Sequence, residues 1–141
     1  MGSLDELINS VLGGTGADRK LDAQIVAALN DVIVKPYPLS DDFGPHDRFQ
    51  FWSTDGKHFL GSERKFPVHA FTSDITAVLA LREERLPDWG ATFDVGHDIN
   101  AATVEEKDDD DEEGVAFTET HADPLRAALA AILRAIDHQS A

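Results

Sequence analysis

The chain has no cysteine among its 141 residues. That absence rules out a disulfide framework, a thiolate zinc site and a cysteine nucleophile. Basic residues are also scarce. Twelve Lys and Arg face 27 Asp and Glu, for a net charge of −15. A chain so poor in positive charge is unsuited to direct nucleic-acid binding, which rests on neutralising phosphates. Anionic membrane surfaces repel it for the same reason. No apolar run approaches the ~18–20 residues of a membrane span. Residues 1–12 lack the basic segment of a signal peptide, and Glu6 stands where a myristoylation site wants Ser or Thr. The expected location is therefore the cytoplasm.

Catalytic motifs are missing as well. There is no Gly-x-Ser-x-Gly and no His-Glu-x-x-His. Gly13-Gly14-Thr15-Gly16 lacks the preceding strand and the following Lys-Ser/Thr of a phosphate loop. No catalytic residue is assigned, and the expectation is a non-enzymatic protein without cofactor or metal. The closest approaches to a metal site are His97 with Asp94 and Asp98, and His121 with Asp123. A loop-edge His beside Asp is more often a turn or helix cap than a ligand pair.

What the sequence does have is acid, and it is concentrated. Residues 86–123 hold thirteen Asp/Glu and one Lys, a balance of −12, against −3 for the remainder. Its extreme is EEKDDDDEE, residues 105–113, followed by Gly114. Alternating segments on either side make this run the tip of a β-hairpin. In an EF-hand register Asp109, Asp111 and Glu113 would fill positions one, three and five. Position twelve then falls on Thr120, where a bidentate Glu is required. The candidate binding residues are Asp94, Asp98, Glu105, Glu106, Asp108, Asp109, Asp110, Asp111, Glu112, Glu113 and Glu119. Such a block attracts basic partners.

The apolar fraction of 42% supports a globular fold. Residues 1–17 read as a short helix and a Gly-rich linker, and 18–141 as one α+β domain. Ser3 and Glu6 form a capping box for a helix over residues 3–12. Helix two starts at Asp18, carries the stripe Leu21, Ile25, Leu29, Val32, Ile33, and stops at Pro36. A Pro/Gly/Asp-rich loop follows. Residues 48–62 read as a hairpin about Asp55-Gly56 in a type I′ turn, with Trp52 against Phe59 and Phe51 against Leu60. Both of its faces are then apolar, so Phe51, Trp52 and Phe59 are candidates for self-association and a homodimer.

In the helix over residues 71–85, Thr72 or Ser73 is the expected cap. Ile75, Val78, Leu79 and Leu81 suggest a central position. Strands are expected over 91–95, 99–106 and 115–121, with Phe93, Val95, Val104, Val115 and Phe117 in the core and Asp94 pointing outward. The last helix is capped by Asp123, with Pro124 in its first turn, and carries Leu125, Ala128, Leu129, Ile132, Leu133 and Ile136 on one face. The fold class is α+β, an antiparallel sheet of about 3–5 strands with helices packed on it.

Phe71-Thr72-Ser73-Asp74-Ile75-Thr76-Ala77, Leu86-Pro87-Asp88-Trp89 and Ala122-Asp123-Pro124-Leu125-Arg126-Ala127-Ala128-Leu129 occur here in that order. In this the chain resembles the phage ABA sandwich domain family, small phage and prophage proteins of largely unassigned function. LDAQIVAAL looks like the family's opening helix. The resemblance covers residues 67–138; the hairpin around Trp52 and the first helix depart from it. It implies a layered α+β fold and a phage or prophage origin, and it carries over no catalytic residue. Combined with the charge, it implies a basic host protein, one that binds nucleic acid, as the expected partner. The alternative is a self-associating accessory protein whose acidic run is only a solvated tip.

Overall fold

A computed structural model describes residues 4–37, 48–94, 100–106 and 115–140. It is an α+β fold with four helices and two three-stranded antiparallel sheets, the helices packed on the sheets. The chain forms two compact units, Met1–Ala17 with Phe71–Ala141, and Asp18–Ala70.

In the first unit the organising element is α4 (Pro124–Ser140). Asp123 starts it: its carboxylate accepts from Leu125 N–H at 3.0 Å and its carbonyl from Ala127 N–H at 3.2 Å. Its burial is wider than the expected stripe. Arg126, Ala127, Ala128, Leu129, Ala130, Ala131, Ile132, Leu133, Ala135 and Ile136 are all buried. Alanines between the large residues let neighbours approach on several sides. Those neighbours are α1 (Asp5–Gly13), α3 (Ile75–Arg85), β5 (Asn100–Glu106) and β6 (Ala116–His121).

The short helix α1 finds its surface on α4. Its N-cap is Leu4, with no side-chain cap bond, so the expected start at Ser3 moves inward; Ser3 itself lies outside the described residues. The Leu4 N–H, an orphan at a helix start, donates instead to Asp137 Oδ1 of α4 at 3.2 Å. At the other end α1 has no basic residue in its last turn. Arg126 of α4 supplies one, donating to Val11 O at 3.2 Å and to Gly16 O at 2.6 Å. A guanidinium at helix C-terminal carbonyls suits both the orphan acceptors and the dipole. Gly14 permits this approach, since a Cβ there would lie 3.2 Å from Arg126 Nη1.

The helix α3 is amphipathic rather than central. Its cap is Asp74, which accepts from Thr76 N–H, in place of Thr72 or Ser73. Val78 and Leu81 are buried, but Ile75 and Leu79 are 44% and 36% exposed. The sheet beside it has the order β4-β5-β6, with β4 spanning Trp89–Asp94.

In the second unit, α2 (Arg19–Leu29) starts at Asp18, as expected, and ends seven residues before Pro36. Asp31, at φ 57°, reverses the chain, and Val32 N–H bonds back to Ala27 O. Ile33 and Pro36 then belong to β1 (Ile33–Tyr37), an edge strand of the sheet β1-β2-β3. An edge tolerates a proline because one side of the strand makes no ladder bonds. The predicted helix ran on because the apolar positions 32 and 33 continue the helical period by coincidence. Most of the predicted Pro/Gly/Asp loop, residues 38–47, lies outside the described residues.

The hairpin of β2 (Arg48–Trp52) and β3 (Phe59–Ser62) is present with a different turn. Between the strands only Gly56 has positive φ, at 74°, so the turn is not type I′, which needs two such residues. Ser53 and His58 close a wider loop, with Ser53 N–H donating to His58 O at 2.8 Å. Trp52 does pair with Phe59, but a register shift after Phe51 sets that residue opposite Gly61 instead of Leu60.

Candidate functional site

The strands β4, β5 and β6 alternate, so each side chain belongs to one face. The pairing Phe93↔Ala102↔Glu119 and Ala91↔Val104↔Phe117 defines the face under α4. Asn100, Ala102 and Val104 are buried there. Trp89 and Phe117 stack at 6.3 Å, with His138 of α4 tilted against Phe117. The opposite face is a grid of small residues. Across the three strands its rows are Gly90, Glu105, Ala116; then Thr92, Thr103, Thr118; then Asp94, Ala101, Thr120. Thr103 and Thr118 share a hydrogen bond of 2.8 Å between their hydroxyls.

This alternation sorts the candidate carboxylates. Asp94 and Glu105 lie on the grid face at its opposite ends, Asp94 on the edge strand β4 and Glu105 on the central strand β5, and both are exposed. Glu106 is exposed at the end of β5. Glu119 lies on the other face, where Arg134 of α4 donates to its carboxylate through Nε. Asp94 and Glu119 therefore do not share one acidic face, and Glu119 is neutralised within the chain. Asp98, Asp108, Asp109, Asp110, Asp111, Glu112 and Glu113 fall outside the described residues. The root of the acidic run is described: Glu106 N–H donates to Val115 O at 2.9 Å, so the paired strands β5 and β6 run up to residues 107–114 on both sides.

Two further expectations are placed. His121 Nδ1 accepts from Asp123 N–H at 2.8 Å, and Asp123 in turn caps α4, so this pair serves the strand-to-helix turn. Among the described residues no group of three or more His, Asp or Glu could hold a metal ion. Thr120, at the failed EF-hand position twelve, lies in β6 opposite Ala101, in a strand and not a helix.

The three hairpin aromatics separate. Phe51 is fully buried, with its ring 5.0 Å from that of Phe66. Trp52 is half-buried under Lys35 Nζ, 4.4 Å above its ring. Phe59 is 53% exposed and meets Trp52 edge-on at 5.6 Å. The turn below them is locked by Asp55, whose carboxylate bonds Ser53 Oγ and Lys57 N–H. Those bonds, the Ser53 hydroxyl first, hold the Asp55 carboxyl below its ordinary value.

Phe93 is 40% exposed, against the expectation of a core position. It is on the correct face, but α4 packs on β5 and β6 and leaves the Phe93 end of β4 open. A groove of about 380 Å³ results, lined by Leu79 and Arg82 of α3 and by Gly90, Ala91 and Phe93 of β4. Val115 and Phe117 are half-buried, Val104 is fully buried, and Val95 lies outside the described residues.

The sequence reading missed the three arginines that do structural work here, Arg82, Arg126 and Arg134. A usable signal existed for Arg126: a cation set among the alanines at the start of a helix with apolar residues all round needs a buried acceptor.

No protein-family model matches the chain, and no curated protein or solved structure is significantly similar to it. Among the described residues no helix is long and apolar enough to cross a membrane.

Proposed function

We propose that this is a non-enzymatic acidic binding protein that occupies a basic, nucleic-acid-binding surface of a partner protein, in the manner of a nucleic-acid mimic. The observation that carries this reading is the mounting of the charge. Glu105 and Glu106 are exposed at the end of a hydrogen-bonded strand pair, and six further carboxylates follow between those strands in sequence. Charge fixed on a ladder meets a basic cleft with less ordering entropy than charge on a free tail. Its complementarity also speeds encounter with a basic surface.

The resemblance to phage ABA sandwich domains supports a host defence protein as that partner, an anti-restriction or anti-CRISPR relationship in a host cytoplasm. The other reading, a self-associating accessory protein, keeps Phe59 as its exposed hairpin contact; Phe51 is buried.

Affinity capture from a bacterial lysate tests the proposal. A basic nucleic-acid-binding protein should be retained at low salt and lost at high salt. A variant with Asp108, Asp109, Asp110 and Asp111 changed to Asn should not retain it. Equal retention by that variant would sink the reading.

A further inference from the structure

The sheet β4-β5-β6 has two edges, and they differ. The β6 edge begins directly after the acidic run, which discourages pairing with another acidic chain. In β4 the only charged residue is Asp94. Because Glu106 N–H bonds Val115 on β6, the Trp89↔Glu106 pair is one of the non-bonded pairs of the ladder. Alternation then directs the amide and carbonyl groups of Trp89, Ala91 and Phe93 away from β5. At Trp89 they are already used: its N–H bonds Leu86 O at 3.1 Å and its carbonyl accepts from Arg82 Nη1 at 2.7 Å. Ala91 and Phe93 have no such partner among the described residues. Beside them lie the groove and three exposed apolar side chains, Phe93, Leu79 and, one turn earlier in α3, Ile75.

We infer that β4 is a pairing edge through which two copies of this chain associate antiparallel, about a two-fold axis at Thr92. This does not rest on the acidic-binding reading. Of the registers centred on Ala91, Thr92 and Phe93, in the middle of the strand, two fail. An axis at Ala91 would call on the backbone of Trp89, which Arg82 and Leu86 occupy. An axis at Phe93 would set Asp94 opposite Thr92 of the other copy, with the two Asp94 carboxylates on one diagonal of the same face about 7–8 Å apart, where like charges repel. An axis at Thr92 sets Ala91 opposite Phe93 of the second copy, and the reverse. Each Phe93 then enters the other copy's groove beside Ala91. Asp94 of one copy falls opposite Gly90 of the other on the grid face, which keeps the two Asp94 carboxylates well apart along the strands.

Charge supports the same geometry. Glu105 lies in the Gly90 row, so antiparallel pairing sends the two acidic ends in opposite directions. With strands about 4.8 Å apart and a rise of about 3.3 Å per residue, the two Glu105 positions are roughly 20 Å apart. That is about two Debye lengths at physiological salt, where repulsion is largely screened. The contact is small, so the dimer belongs with weak, reversible associations.

Because the chain has no cysteine, cross-linking reads the register directly. In the expected result, Thr92→Cys oxidises to a linked dimer at least tenfold faster than Thr120→Cys, on the opposite edge. Wild-type mass in sedimentation rises with concentration. Phe93→Lys stays monomeric at every concentration with unchanged circular dichroism. Equal cross-linking of the two cysteine variants would overturn the inference. So would a wild-type monomer at all concentrations, a dimer that survives Phe93→Lys, or one lost on Phe59→Lys instead. Binding of an extended peptide at β4 by a monomeric chain would also overturn it.

Discussion

One face of the sheet β4-β5-β6 is closed by α4 and the other is a grid of threonine, alanine and glycine open to solvent. The two faces share a backbone and alternate residue by residue, yet they do different work. The closed face joins Asn100, Ala102 and Val104 to a helix that is buried almost all round. The open face stores little stability in its side chains and displays Asp94 and Glu105 at its two ends. Stability and display are separated by a single residue of strand register, so a one-residue slip would exchange them.

Substitutions on the two faces sharpen that contrast. Ile132→Ala in α4 should lower stability by about 2–5 kcal/mol, the cost of a large-to-small change in a packed core. Thr103→Ala on the grid should cost at most about 1 kcal/mol, the scale of one cross-strand pair. Urea unfolding of both variants measures the ratio, and comparable losses would break the comparison.

Arg126 gives the next effect. Truncation to Ala leaves the carbonyls of Val11 and Gly16 without their donor. The buried Val11 carbonyl, left unsatisfied, costs about 1–3 kcal/mol, while the exposed Gly16 carbonyl can turn to water. Thermal unfolding should show a loss in that range, and hydrogen exchange should rise first in α1.

The smallest effect belongs to the hairpin turn of the other unit. The Asp55 carboxyl lies below its ordinary value near pH 4 because Ser53 and Lys57 bond its charged form. Its stabilisation is therefore complete above about pH 4 and is lost as pH falls through the depressed value. The Lys57 amide resonance should follow that titration. Asp55→Asn should remove the pH dependence without unfolding the sheet.

Much of this fold was legible because its signals are local. Asp123-Pro124 and the i, i+3, i+4 spacing fix α4, and alternation fixes β4 to β6. The misplacements arose where a non-local partner decides. Ile33 and Pro36 fit a helical period, but pairing with Trp52 and Phe49 makes them a strand. Alternation puts Phe93 on the correct face, yet only the position of α4 determines that its end of β4 stays uncovered. The acidic candidates divided for the same reason: spacing places Glu119 and Asp94 in strands, while register sets them on opposite faces.

The central claim is that residues 105–113 act as a surrogate for a phosphate backbone. Competition between this chain and duplex DNA for a captured basic partner tests it most directly. The account predicts that the chain displaces DNA, and that changing Asp108, Asp109, Asp110 and Asp111 to Asn raises the concentration needed at least tenfold. A ternary complex of partner, DNA and chain, or equal competition by the Asn variant, would contradict it.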